Sequence, residues 1–299
     1  MKLFLTGASG LVGGNFAQLA AARGHEVVGV VGRFTGEIPG LTQGLVLDLT
    51  DTAAINTAIN AAAPDAIVNC AAISEPAQCD ADPTRSEAMN VALPELLARL
   101  ARELDARLLH LSSEQVFDGQ RTTPYAPHDP THPINRYATQ KVASERAVHA
   151  VAPAHSATVR APLLMGNSPG RRRSLHERLL ADWSAGRTPK LYTDEFRQPC
   201  TADNLAAALL ELLEHRDLCG VFHWAGAELL SRHEIGLRIR AHFNLSEADA
   251  PIIAITRADT PAASAQRQPC LALDLEPLAS RLRTRPQTFA EQLPLLLPS

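Results

Sequence analysis

The chain has 299 residues, 45% hydrophobic and 20% charged, the balance of a globular protein with enough length for one large domain or two moderate ones. Its formal net charge of -4 leaves no basic footprint, which argues against nucleic acid as a partner. The five cysteines, Cys70, Cys79, Cys200, Cys219 and Cys270, are widely spaced and form no C-x-x-C, so neither a disulfide framework nor structural zinc is expected. The apolar start breaks at Gly7, and no stretch approaches the roughly 20 apolar residues of a membrane span. A reducing cytoplasm is the expected setting.

In chain order, Lys2–Thr6 reads as a buried strand, and Asn15 opens a helical pattern closed by Gly24. Strands are expected at Glu26–Val31, Leu45–Leu49, Ala66–Cys70, Arg107–Ser112 and Ala157–Arg160. Helices are expected at Thr52–Ala63, Pro83–Leu104 and Tyr137–Val151. Continuous apolar strands alternating with helices predict an α/β fold, a Rossmann-type doubly wound parallel sheet. Beyond Ala161 the alternation gives way to prolines and an arginine run, Arg171–Arg173, which predicts a smaller α/β substrate domain. The expected division is a nucleotide-binding domain over 1–165 and a substrate domain over 166–299. A helix at Thr201–His215 and a strand at Val221–Trp224 lie within a segment, about 198–225, expected to return to the first domain.

The turn Thr6-Gly7-Ala8-Ser9-Gly10-Leu11-Val12-Gly13 joins the first strand to the first helix. Glycines there admit a tight turn and let backbone N–H groups approach a pyrophosphate at a helix N-terminus. Gly13 and Gly14 are expected to let that helix pack closely on the strand. A glycine-rich turn without a ligand is the plainer alternative, but the strand–turn–helix context favours dinucleotide binding. The second strand ends in Gly32-Arg33 with no acid to hold a ribose 2′-hydroxyl, so Arg33 is a candidate for a 2′-phosphate and NADP(H) is favoured over NAD(H). Its plainer reading is a solvated loop arginine.

Tyr137 and Lys141 are four apart at the start of a helix, so the phenol and ammonium share a face. A free phenol titrates near about 10, and a neighbouring cation is expected to lower it toward the working range for proton transfer to a carbonyl oxygen. Lys141 is also placed to bind nicotinamide ribose. Ser112-Ser113 ends the preceding strand, and Ser113 would hold the substrate oxygen beside Tyr137. On its own a Y-x-x-x-K spacing is more often an ordinary helix surface.

TGASGLVG, NCAA (Asn69–Ala72), LSSEQVFDG (Leu111–Gly119), YATQK, VRAP and DEFRQP (Asp194–Pro199), in this order, resemble the dTDP-4-dehydrorhamnose reductases, members of the extended short-chain dehydrogenase/reductases. The resemblance spans nearly the whole chain. It implies Ser113, Tyr137 and Lys141 as the catalytic set, and cofactor contacts from Thr6, Gly7, Ser9, Gly10, Leu11, Val12, Gly13, Arg33, Asp48, Leu49, Cys70, Ala71, Ala72, Asn90, Ser112, Pro162 and Leu163. It further implies substrate contacts from Ser74, Ser113, Glu114, Gln115, Arg197 and Arg267. The stretch Gly220–Ile235 looks closer to the regulatory β subunit of methionine adenosyltransferase, an NADP-binding partner protein that keeps the Tyr–Lys pair. Gln115 stands where the rhamnose reductases carry Tyr, Leu163 where they carry Trp, and Asn15 where some carry a magnesium-binding Glu.

The resulting expectation is an NADP-dependent reductase acting on a keto group of a nucleotide-activated sugar. The alternatives are a partner protein without turnover, or an epimerase or dehydratase, for which Glu114 occupies a suitable neighbouring position. Arginines 171–173 are candidates for a substrate diphosphate, against the plainer reading of a solvated face. His128 and His132 lie in a proline-rich loop, and no metal is expected. Cys70 reads as a small buried hydrophobe. The helices at 83–104 and 137–151 could form a homodimer face, although such faces also occur buried within a monomer.

Overall fold

The computed structural model describes residues 1–298. Its first half contains β1 (Lys2–Thr6), α1 (Leu11–Ala22), β2 (Glu26–Val30), β3 (Gln43–Leu45), α2 (Thr52–Ala62), β4 (Ala66–Asn69), α3 (Pro76–Ala81), α4 (Pro83–Glu87), α5 (Leu93–Glu103), β5 (Arg107–Ser113), α6 (Arg136–Val151) and β6 (Ser156–Ala161). There follow β7 (Leu164–Met165), α7 (Leu175–Ser184), β8 (Lys190–Tyr192), β9 (Phe196–Arg197), β10 (Cys200–Thr201), α8 (Ala202–Glu214), β11 (Gly220–His223), β12 (Leu230–Ser231), α9 (Arg232–His242), β13 (Ile253–Ile255), α10 (Pro261–Ser264), β14 (Cys270–Leu271), α11 (Leu278–Arg281) and α12 (Phe289–Gln292).

Seven strands form one parallel sheet in the order β11-β6-β5-β4-β1-β2-β3. The strands alternate faces, as the pleat requires. Leu3, Leu5, Val68 and Leu109 pack with Phe16 of α1 and Leu205 and Leu209 of α8. Phe4, Ile67 and Leu108 pack with Ile55 and Ile59 of α2 and Leu97 and Leu100 of α5. Each fully buried side chain of this size contributes about 1.5–3 kcal/mol. At the sheet edge β11 pairs with β6 from Gly220↔Ala157 to His223↔Arg160.

Two elements differ from the sequence expectation. The third strand is Gln43–Leu45, not Leu45–Leu49. Asp48 Oδ1 accepts hydrogen bonds from Thr50 N at 3.0 Å and Thr50 Oγ1 at 2.9 Å, a local turn that competes with the ladder. The helix expected over Pro83–Leu104 is α4, a π-helical turn at Ala88–Ala92, and α5. Pro94 supplies no N–H to the preceding turn, and the wider π turn accommodates that loss. The apolar side of α5 is buried in the core and packs on α6, so it is not a free face.

The C-terminal part builds small sheets, β12-β9-β14 and the pairs β10-β7 and β13-β8, around Met165, Trp183, Ile235, Ile239 and Phe289. Helices α7 and α9 both start in capping boxes, Ser174 with Glu177 and Ser231 with Glu234. Among the described residues no helix is long and apolar enough to cross a membrane.

Candidate active site

A cleft of about 940 Å³ opens at the carboxyl ends of the parallel strands, where open α/β sheets bind ligands. The start of α1 contributes Gly10, Leu11 and Val12, the segment after β4 contributes Cys70, Ala72 and Ser74, and the end of β5 contributes Ser112, Ser113, Glu114 and Gln115. Tyr137 enters from α6, Pro162 and Leu163 from the end of β6, and Arg197 and Arg267 from the C-terminal part.

The glycine turn is dictated by close approach. Gly7 has φ +72°, and a Cβ there would lie 2.8 Å from the Ala71 nitrogen. A Cβ on Gly13 would lie 2.2 Å from the Gly7 carbonyl oxygen, so only glycine brings α1 this close to the turn. Gly14 does a different job from the one expected: its neighbour is the Pro169 ring in a later loop. No side chain caps α1, which leaves its first N–H groups for an anion.

Several expected cofactor residues are not among those that line the cleft. Thr6 is fully buried and its hydroxyl donates to Asn69 Oδ1 at 2.6 Å. Asn90 is also fully buried: its Oδ1 accepts from Ile73 N at 2.9 Å, and its Nδ2 donates to Ile73 O at 3.0 Å and Gln140 Oε1 at 2.9 Å. It therefore braces the Ile73–Ser74 segment against α6 instead of lining the cleft. Asp48 is paired with Thr50 and Arg85, three residues beyond the end of β3, with Leu49 beside it. Arg33 is exposed just past β2. Gly7, Ser9, Gly13 and Ala71 shape the turn behind the cleft wall.

Burial pushes the Tyr137 phenol up to about 12, against a smaller opposing effect of a hydrogen bond with Ser113. The expected lowering by Lys141 is not what the geometry gives. Lys141 is only 1% exposed, and its Nζ donates to the Leu111 carbonyl at 2.7 Å. Burial brings its ammonium down to about 8, opposed by the nearby Glu145 carboxylate. A buried polar chain lies beside it. Asn69 Oδ1 accepts from Thr6 and from Ala71 N, so Asn69 Nδ2 donates to His110 Nδ1 at 3.0 Å. That leaves the His110 hydrogen on Nε2, aimed at Ser144 Oγ at 3.0 Å. Lys141 Nζ lies 3.5 Å from the same Nε2 and finds no acceptor in it. Burial and the Lys141 charge hold His110 well below the usual imidazole range, so it stays neutral.

Burial raises Glu114 to about 7, opposed by Arg197, whose Nε lies 3.3 Å from Glu114 Oε1. Its Oε2 is buried without a hydrogen-bond partner among the described residues. Cys70 has its thiol pushed up to about 12 by burial, which makes it inert as a nucleophile at neutral pH.

Arg197 and Arg267, both expected at the substrate, reach the cleft but are already engaged. Arg197 Nη1 donates to Phe196 O at 2.7 Å and its Nη2 to Gln268 O at 2.9 Å. Arg267 makes a bidentate pair with the fully buried Glu195, at 2.5 and 2.7 Å. Arg232, Gln266 and Gln268 also line the cleft and carry no motif signal in the sequence. Arg172, Arg173 and Arg178 line it from an exposed position.

The sequence matches the family described as the RmlD substrate binding domain over residues 1–299. It is 31% identical over 249 residues to a dTDP-4-dehydrorhamnose reductase of Mycolicibacterium smegmatis, covering 83% of this chain and 70% of that protein. It is 28% identical over 249 residues to the methionine adenosyltransferase 2 subunit beta of Xenopus laevis, covering 82% and 72%. Among solved structures, a hypothetical dTDP-4-dehydrorhamnose reductase from Sulfolobus tokodaii superposes with a TM-score of 0.83 at 28% identity, covering 99% of this chain and all of the other.

Proposed function

Because the chain belongs to the RmlD substrate binding domain family, we propose that it is an NADP(H)-dependent reductase of a keto group on a nucleotide-activated sugar. One observation carries this reading: Ser113, Tyr137 and the glycine turn open onto a single cleft, with Lys141 sealed beneath it. The residues suit a nicotinamide dinucleotide. A Cβ at Gly7 or Gly13 would strike the backbone that holds the turn tight against α1, α1 presents an uncapped N-terminus, and the exposed Arg33 supplies a cation for a 2′-phosphate.

When bound, a reduced nicotinamide supplies the hydride. The chain's own residues manage the oxygen. Ser113 Oγ orients the carbonyl oxygen, and Tyr137 gives it a proton. A phenol held near 12 by burial carries that proton throughout the neutral range, and the alkoxide formed on reduction is basic enough to take it. Lys141, with an ammonium near 8, is still charged at pH 7 and offsets the phenolate left behind.

The test is a titration of the protein with NADPH and NADH, repeated on Arg33→Ala, followed by turnover of keto-sugar nucleotides by wild type and Tyr137→Phe. Tighter NADPH binding that Arg33→Ala abolishes, with turnover that Tyr137→Phe loses, supports the reading. A second reading, a nucleotide-binding partner protein without turnover, is favoured by the similarity to the methionine adenosyltransferase subunit. NADPH binding without turnover, together with a co-purifying enzyme, would select it.

A further inference from the structure

Four guanidinium groups, Arg197, Arg232, Arg257 and Arg267, gather around two carboxylates, Glu114 and Glu195, at the C-terminal wall of the cleft. The excess is positive, and the hydrogen bonds are shared unevenly. Arg267 is locked onto Glu195, and Arg197 is spent on Glu114, Phe196 O and Gln268 O. Arg257 Nη1 donates to Arg267 O at 2.6 Å and its Nη2 to Ser264 O at 2.9 Å. Arg232 differs. Among the described residues its guanidinium makes no hydrogen bond, and its one approach to a carboxylate is Nε at 3.7 Å from Glu195 Oε2. Its side chain is only 18% exposed, yet it lines the cleft.

A guanidinium has five N–H donors in a fixed plane, and those of Arg232 face the cleft without a protein partner among the described residues. Water at the cleft surface can satisfy some of them, but an arginine in this position is best matched by a planar or tetrahedral anion entering the cleft. Its backbone is fixed independently of any ligand: Arg232 N donates to Glu195 O at 2.9 Å, directly after the Ser231 cap of α9. Burial, reinforced by the like charges of Arg197 and Arg267, brings the Arg232 guanidinium down to about 10, a stress that a bound anion would relieve. Arg172, Arg173 and Arg178 line the same cleft with the same charge.

We propose that Arg232, and not Arg197 or Arg267, is the residue that grips the anionic group of the substrate, through phosphate or carboxylate oxygens. This deepens the sugar-nucleotide reading above and rests on it. The other two arginines are the wall that fixes Glu195 and Glu114 and keeps the Arg232 donors free. Two sources can supply the anion: the diphosphate of the nucleotide, or a carboxylate on the sugar close to the reacting carbon.

The experiment is calorimetric titration of wild type, Arg232→Gln and Arg232→Lys with UDP, UDP-glucose and UDP-glucuronic acid, with NADPH as a reference ligand. A hydrogen bond to a charged partner is worth about 1.5–3 kcal/mol, so Arg232→Gln is expected to weaken the relevant ligand roughly 10- to 100-fold. Arg232→Lys should recover part of the loss, and NADPH affinity should stay within about twofold of wild type. An equal loss for all three uridine ligands identifies the diphosphate. A loss confined to UDP-glucuronic acid identifies a sugar carboxylate. Arg232→Gln with wild-type affinity for all three overturns the proposal, as does a wild type that binds none of them. Because the readout is binding, a protein that grips these ligands through Arg232 but reduces nothing sinks the reductase reading and leaves this inference standing. Unchanged NADPH affinity also guards against a misfolded variant.

Discussion

Glu145 on α6 takes two hydrogen bonds from the Arg160 guanidinium on β6, at 2.9 and 2.8 Å, with both side chains sealed from water. The same carboxylate accepts from Ser112 Oγ at 2.5 Å. One ion pair therefore ties the helix that carries Tyr137 and Lys141 to the strand ends that carry Ser113 and Pro162. Its value is positional, because burying both charges offsets much of their attraction.

Removing one partner strands the other. Arg160→Met is expected to cost about 3–5 kcal/mol in urea unfolding, whereas Arg160→Met with Glu145→Met should recover most of that loss. Glu145 also supports the charge on Lys141, so Glu145→Gln is expected to move the Lys141 limb of the pH–rate profile to lower pH. A double variant as unstable as the single one would show that the pair contributes more than mutual neutralisation.

Tyr137→Phe keeps the ring that packs in the cleft and deletes the proton that reduction needs. We expect kcat to fall by about 10²–10⁴, with KM and NADPH affinity little changed. Steady-state NADPH oxidation checks this. A loss in KM alone would make Tyr137 a binding group instead.

The sheet was legible because its strands are continuous apolar runs separated by helical periodicity, and the glycine turn because its chemistry is local. The cleft side chains of the first half were legible for the same reason, since Ser113, Tyr137 and Cys70 sit at or near strand ends and helix starts. The third strand was expected to run on to Leu49 because the short turn at Asp48 resembles a strand end in sequence, and the backbone that absorbs Asn90 carries no sequence signal. The C-terminal wall was out of reach for a stronger reason. Whether Arg197, Arg232 or Arg267 is free depends on Glu114 and Glu195, which come from two distant segments, and on backbone carbonyls that carry no sequence signal.

Gly13→Ala tests the turn. The added Cβ would sit 2.2 Å from the Gly7 carbonyl oxygen and 2.8 Å from its carbon, both backbone atoms that cannot swing aside. Relief requires α1 to move away from β1, which we expect to cost about 1–3 kcal/mol in urea unfolding and to abolish dinucleotide binding. A variant that binds NADPH normally would show that the helix can retreat without disturbing the cradle.

Lys141 makes stability itself depend on pH. Burial lowers its folded pKa from the ordinary 10.5 to about 8. Between those values the unfolded chain holds a proton that the folded chain has released, so stability rises with pH through this window. Below about 8 both states are protonated, and the cost of the buried charge is borne in full. A shift of this size corresponds to at most about 3 kcal/mol. Lys141→Met removes the contribution, so its unfolding free energy should exceed that of wild type below pH 8 and the gap should narrow toward pH 10.5. Urea unfolding of both proteins at intervals across that range decides the point: a gap that does not change with pH would mean Lys141 titrates at its ordinary value, and that its charge is not what the buried site works against.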